Sequence, residues 1–259
     1  MALRVFFGWR GLMEEAGRSP GSQEDAMLVG RTTPVVLYSG TCSEQGLRRH
    51  NADATSTARD ASTGRLAFAV ADGIGDTPAA AQAARLAAEV AARTVHRTGT
   101  VGALLAARDV LDDSSADAVL VAATLLPPHL GGGFSVSWAG DARAYHWDGE
   151  VLVQLTTDHT VAEFYRRHGR TPDSRMEHVV TNTVRSATVQ TVGHVRTAGG
   201  RGRLVLTTDG VHRRLGHDEL ADIVSGAADS GTAAETLVSA ALRAGTTDNV
   251  TALVVDARA

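Results

Sequence analysis

The chain has 259 residues, 43% of them hydrophobic and 21% charged, with a net charge of −4. That is enough to close a core without staples, and the mild acidity argues against a general binder of nucleic acid or anionic membrane. All 25 basic residues are Arg and Cys42 is the single cysteine, which excludes a Walker-A or Schiff-base lysine, a Ser-Lys dyad, an internal disulfide framework and a cysteine-rich zinc site.

Residues 1–33 read as an extension or linker, because GRSPGSQEDA is rich in Gly, Ser and charge. Gly17-Arg18-Ser19-Pro20-Gly21 matches G-x-S-x-G formally. A nucleophile elbow needs a strand before the Ser and a helix directly after it, and the polar tract here favours coincidence. The start MALRVFFGWRGLMEEAG lacks a secretory apolar segment, and no apolar run reaches the roughly 20 residues that span a bilayer. The expected location is cytoplasmic.

A single domain is expected over 34–259. PVVLYSG (34–40) and RLAFAVAD (65–72) are short apolar runs ending in turn residues, as strands do. Helical spacing covers 78–97, with Pro78 in the first turn, and again 101–112. Segments 116–126, 133–141, 142–149 and 150–158 follow one another with brief turns and read as a β-meander, Asp148-Gly149 marking a hairpin. A short helix is expected near 160–168. RGRLVLTTDG (201–210) is another strand, HDELADIVSGA and TAAETLVSAALRAG are helical, and DNVTALVVDA (248–257) closes the chain as a strand. Strands in runs and helices in pairs indicate α+β with antiparallel sheets rather than a doubly wound fold.

Asp72, Asp209 and Asp248 each sit where an apolar strand stops or starts. Asp141 ends SVSWAG, and Asp53 lies in the turn region after the first strand. An Asp-Gly pair is ordinarily only a turn, and a terminal Asp can cap a loop or pair with Arg. Several carboxylates converging without His or Cys suit a hard cation such as Mg²⁺ or Mn²⁺, and two such ions can activate water and clamp a phosphate.

Six segments, in order, resemble the motifs of the PP2C (PPM) metal-dependent Ser/Thr protein phosphatases of bacterial type. Arg48-Arg49-His50-Asn51-Ala52-Asp53-Ala54 is similar to R-x-x-N-E-D-A, and Val70-Ala71-Asp72-Gly73-Ile74-Gly75 to V-A-D-G-x-G. Gly140-Asp141-Ala142-Arg143-Ala144-Tyr145 resembles G-D-S-R-x-Y, and Leu155-Thr156-Thr157-Asp158-His159-Thr160 resembles L-T-x-D-H-S. Thr208-Asp209-Gly210-Val211 is similar to S-D-G-L, and Asp248-Asn249-Val250-Thr251 to D-N-x-T. The resemblance implies an α-β-β-α sandwich of two antiparallel sheets flanked by helix pairs. It implies metal-dependent hydrolysis of phosphoserine and phosphothreonine in proteins by a metal-bound hydroxide, with two or three ions.

By the same resemblance Asp72 bridges two ions, the Gly73 carbonyl and Asp53 serve the second, and Asp209 and Asp248 complete the first. Asp141 and Asp209 share a third, weaker ion. Arg48 binds the phosphate, Arg48, Asp53 and Asp72 are the catalytic residues, and residues 169–190 form a flap. A Ser/Thr kinase is the implied counterpart, with no nucleic-acid or membrane partner. Departures are Ala52 in place of the motif's Glu, Asp76 in place of a Gly, Ile74 after Asp-Gly, and Ala122-Ala123-Thr124 in place of Gly-Thr-Thr. Ala52 removes a carboxylate from the second ion's surroundings. A pseudophosphatase that binds a phosphorylated partner, or a phosphatase for a small phosphorylated metabolite, are the competing readings.

Overall fold

The computed structural model describes residues 35–111 and 116–258. The expected extension at 1–33, its G-x-S-x-G match and Asp112 at the end of the second expected helix lie outside them. Ten strands form two antiparallel five-stranded sheets. The first sheet has the order β1 (Val36–Glu44), β10 (Val250–Arg258), β9 (Gly202–Thr207), β6 (Arg143–Trp147), β7 (Leu152–Gln154). The second has β2 (Asp53–Arg59), β3 (Leu66–Gly73), β4 (Ala118–Leu125), β5 (Phe134–Ala139), β8 (Gly193–Arg196).

Strand alternation explains the layering. In β3, Phe68 and Val70 face the other sheet, while Ala67, Ala69 and Ala71 face outward. Leu204 and Leu206 of β9 and Leu253 and Val255 of β10 meet Phe68, Val121, Phe134 and Val136 in the core between the sheets. The outward alanines of β3 receive the alanine face of α1 (Pro78–Leu111): Ala83, Ala84, Ala87, Ala88, Ala91 and Ala92 are all buried there. Small residues on both surfaces let helix and sheet approach closely. On the opposite side α4 (His217–Gly226) and α5 (Ser230–Arg243) cover the first sheet through Leu220, Val224, Leu237 and Val238. The result is the α-β-β-α sandwich.

α1 is two helices in one element, as the sequence pattern predicts. Gly99 breaks the helical path at φ 72° and ψ 173°, a conformation open to Gly at little cost. The hairpin at Asp148-Gly149 also forms, with Trp147 opposite Leu152 and Gly149 at φ 111°.

Four expectations need correction. The run 116–158 is not a continuous meander: β4 pairs with β5, but β5 stays in the second sheet while β6 pairs with β9 in the first. The chain changes sheets at Gly140-Asp141, where Gly140 adopts φ 100°. Asp53 is the first residue of strand β2 and not part of a turn. The first strand runs on to Glu44, because its whole length pairs with β10. Asp209-Gly210 opens the short helix α3 (Asp209–His212) instead of ending the strand before it. The expected short helix near 160–168 is α2 (Val161–Arg167), capped by Thr160.

Candidate active site

The carboxylates come from both sheets at one end of the sandwich. Asp53 and Asp72 are directly opposite each other across the β2–β3 ladder. Like charges in that position repel. Asp209 follows β9 and Asp248 precedes β10, and these two strands are neighbours in the other sheet. The Thr208 hydroxyl donates to Asp53 Oδ2 at 2.8 Å and so ties the sheets together at the site. Its backbone N–H donates to the Thr251 carbonyl at 3.1 Å.

Asp72, Gly73, Ile74, Asp141, Asp209, Asp248 and Arg48 line one cleft of about 170 Å³. Asp53, opposite Asp72 in the ladder, is only 7% exposed, and its Oδ1 is buried without a hydrogen-bond partner. Of the seven residues expected at the site, six line this cleft and the seventh, Asp53, faces Asp72 across the ladder.

Burial, with mutual repulsion added, pushes the carboxyl pKa values of this cluster upward. Burial raises the Asp53 carboxyl to about 7, against the opposing hydroxyls of Thr251 and Thr208, and Asp209 and Asp248 add to the rise. Burial also raises Asp72 well above the ordinary carboxylate range, with Asp53, Asp209, Asp141 and Asp248 all contributing. Asp209 is pushed to about 6, mainly by burial, and Asp141 is raised for the same reason despite its pairing with Arg213. A buried acid with a free oxygen, opposite a second acid, is a donor set that a hard divalent cation satisfies. The donors fit the group that the sequence implies. Among the described residues, no three His, Cys, Asp or Glu side chains stand close enough to hold an ion as they are.

Arg48 sits on the loop before β2, with Nη2 2.6 Å from Asp248 Oδ2. Burial alone would lower its pKa, but the adjacent Asp248 carboxylate raises it on balance. Three side chains hold the loop. Gln45 Nε2 donates to the Arg48 carbonyl at 2.7 Å. Asn249 accepts from the Ala52 N–H at 2.8 Å and donates to the carbonyls of Gln45 and His50 at 2.8 and 2.9 Å. Asp76 accepts from the Arg49 N–H at 3.0 Å and the His50 N–H at 2.9 Å, and His50 Nδ1 lies 3.4 Å from its Oδ1. Those backbone bonds hold the Asp76 carboxyl below its ordinary range.

Ala52 is 1% exposed and packs with Ala80 and Ala81 of α1. Its carbonyl accepts the Gly73 N–H at 2.9 Å. The methyl thus fills a closed alanine contact next to the end of β3 that carries Asp72 and Gly73.

Asp158 and His159 support the site from outside the cleft. Asp158 accepts both Arg143 Nε and Nη2, at 2.8 and 2.7 Å. The Gly140 N–H donates to His159 Nδ1 at 3.3 Å, which braces the chain just before Asp141. Cys42 is half-buried against the helix side of the first sheet, and burial raises its thiol pKa. Residues 174–180 of the expected flap lie beside the cleft, which His178 and Val180 line.

Sequence reasoning missed Asn249 as the clamp of the Arg48 loop, Thr208 as the link between sheets, and Arg213, which pairs with Asp141 at 2.7 Å and Asp209 at 3.1 Å. The Arg213 pairing had a readable signal, since Asp209 and Arg213 are four residues apart at a helix start.

No protein-family model and no curated protein matches the chain by sequence. Solved structures do. The PPM Ser-Thr phosphatase MsPP of Mycobacterium smegmatis, in complex with cacodylate, superposes with a TM-score of 0.69 at 26% identity over 85% of this chain and 97% of that one. The chain has the PPM phosphatase fold. PppA, a regulatory component of the type VI secretion system in Pseudomonas aeruginosa, gives 0.69 at 25% identity, over 86% and 98%. The catalytic domain of the phosphatase PstP with 2 manganese ions gives 0.66 at 23%, over 87% and 100%. This is the PP2C-type enzyme architecture, and the sequence resemblance and the PPM fold coincide. Among the described residues no helix is long and apolar enough to cross a membrane.

Proposed function

We propose that the protein hydrolyses phosphoserine and phosphothreonine in proteins, with Mg²⁺ or Mn²⁺ held by Asp53, Asp72, the Gly73 carbonyl, Asp209 and Asp248. The observation that carries this reading is the convergence of buried, pKa-raised carboxylates from two sheets on a cleft that also presents Arg48. Bound divalent cations supply Lewis acidity and a water acidic enough to attack phosphorus. The chain's own groups do the rest. Asp72 faces Asp53 across the β2–β3 ladder and lines the cleft together with Asp209 and Asp248. Arg48, paired with Asp248 at the cleft edge, presents a planar fork to two phosphate oxygens.

The cleft, about 170 Å³, is smaller than the roughly 300–1,000 Å³ that buries a drug-sized ligand, and it accommodates a phosphoryl group carried on a protein side chain. A phosphoryl group on a side chain reaches in while the rest of the substrate stays outside. The closed contact at Ala52 supports the second reading of a weakened second ion and slow turnover, because no carboxylate stands at that position.

The test is phosphate release with Mn²⁺ or Mg²⁺ from phosphothreonine peptides, p-nitrophenyl phosphate and a panel of sugar phosphates. Turnover of the peptides over the sugar phosphates, abolished by chelator, is expected. Binding of phosphopeptide without turnover favours the pseudophosphatase, and preference for a sugar phosphate overturns the protein-substrate reading.

A further inference from the structure

Arg213 has no part in the chemistry above, yet it lines the same cleft. Its Nε lies 3.1 Å from Asp209 Oδ2, and its Nη2 donates to Asp141 Oδ2 at 2.7 Å. Nη2 also donates to the Glu177 carbonyl at 2.6 Å, and Nη1 meets His178 Nδ1. All three guanidinium nitrogens are thus engaged, on two carboxylates and on the turn at 174–178. A fork held on so many sides is a fixed, permanently charged part of the site and not a loose counterion. Asp141 and Asp209 are the two acids to which the family resemblance assigns a third, weaker ion.

We propose that Arg213 supplies from the chain itself the positive charge between Asp141 and Asp209, so that this protein takes up two divalent cations and not three. The inference rests on the metal-dependent reading above and narrows it. Charge balance supports it. When ionised, Asp53, Asp72, Asp141, Asp209 and Asp248 carry five negative charges, and Arg48 and Arg213 return two. Two divalent ions overshoot the remainder by a single charge, which suits an arriving phosphate dianion. A third ion would have to share Asp141 Oδ2 with a guanidinium already at hydrogen-bond distance, and like charges that close repel strongly in a desolvated site.

Calorimetric titration of the full chain with Mn²⁺ reads the ion count without any reference to turnover. The expected count is two for the unmodified protein and two for Asp141→Asn. Arg213→Gln and Arg213→Ala should gain a third, weaker ion, and adding Asp141→Asn to either should remove it. Circular dichroism establishes that each variant is folded. Should the Arg213 variants fail to fold, the unmodified protein and Asp141→Asn still decide. Three ions in the unmodified protein falling to two in Asp141→Asn overturns the proposal, as does a count of two in folded Arg213→Gln. A count of one in the unmodified protein overturns the two-ion proposal and favours the weakened second ion at Ala52, whereas a count of zero overturns the metal reading itself.

Discussion

The floor and the rim of the cleft are built differently. The floor consists of carboxylates fixed to strand ends: Asp53 and Asp72 sit in a ladder, and Asp209 and Asp141 are largely buried. Its groups repel one another, and they are held by the strong pairing of two sheets. The rim is made of loops. Arg48 and Asp248 are 40% and 33% exposed at their side chains, and their loop is held by a few side-chain hydrogen bonds from Asp76 and Asn249. The lesson is a division of labour. The floor gives up stability to concentrate charge, and the rim adapts a phosphate-binding fork to what lies outside.

Removing floor acids should have the largest effect. Asp72→Asn and Asp209→Asn are expected to cut the turnover number by roughly a hundredfold or more, the scale of losing a preorganised charge group at a reacting centre. The metal-free variants should melt at or above the parent's temperature at neutral pH, since a repelling charge is gone. Parent-like turnover in either variant would remove that acid from the chemistry.

At the rim, Arg48→Ala forfeits charge-assisted hydrogen bonds worth about 1.5–3 kcal/mol. KM for a phosphopeptide should rise by a factor of roughly ten to a hundred, more than the turnover number falls, and Arg48→Lys should recover only part of it. An unchanged KM would place phosphate binding elsewhere.

Ala52→Glu probes the boundary between floor and rim. Placing a long acid in the contact with Ala80 and Ala81 should destabilise the fold by about 1–3 kcal/mol through overpacking. Denaturant melts decide; a parent-like midpoint together with tighter Mn²⁺ binding would show that the side chain escapes into the cleft.

Acidity separates the two regions as well. A carboxyl whose pKa is higher in the folded than in the unfolded chain binds more protons when folded. Asp53 at about 7 and Asp209 at about 6, both from 3.8, therefore lower the stability of the metal-free protein as pH rises from about 4 to about 7. Saturating Mn²⁺ should raise the melting temperature more at pH 7.5 than at pH 5.5, where protons compete for the same oxygens. An equal or reversed shift would break the link between the raised pKa values and cation binding.

The smallest effect is expected at Asp76. Asp76→Ala loosens the loop under Arg48 and should raise KM several-fold, up to roughly tenfold, with Asp76→Asn recovering part. In an Arg48→Ala background the same change should do nothing further. An equal effect in both backgrounds would make Asp76 a general support of the fold and not a positioning residue for Arg48.

Much of the fold is legible because the periodicities are strong. The alanine face of α1, the apolar runs of β3, β9 and β10 and the Asp148-Gly149 hairpin all speak through local sequence. Strand β2, DATSTAR, does not, because at a sheet edge its residues are small or polar and carry no apolar alternation. Strand β8 is four residues at the other edge of that sheet. The change of sheets at Gly140-Asp141 is hidden, because a turn has the same local chemistry whether its two strands pair or part. For the site, ordered motifs reveal the carboxylates and Arg48, whose identities are set by chemistry. Asn249, Thr208 and the Arg213–Asp141 pair act across chain separations that no local pattern reports, and only the Arg213–Asp209 pair is local.

The placement of β10 orders events during synthesis. Its residues, 250–258, lie between β1 and β9 and pair with both, so the first sheet has no centre until they have left the ribosome. Strands β2 to β5 and the helix over them are complete 111 residues earlier, by Ala139. Until the last strand arrives, β1 and β9 present open edges, the form most apt to pair with another chain. A ribosome stalled before residue 250 would therefore hold a half-sandwich with sticky edges, in which Asp53 and Asp72 already face each other but Asp209 and Asp248 have not yet been brought to them.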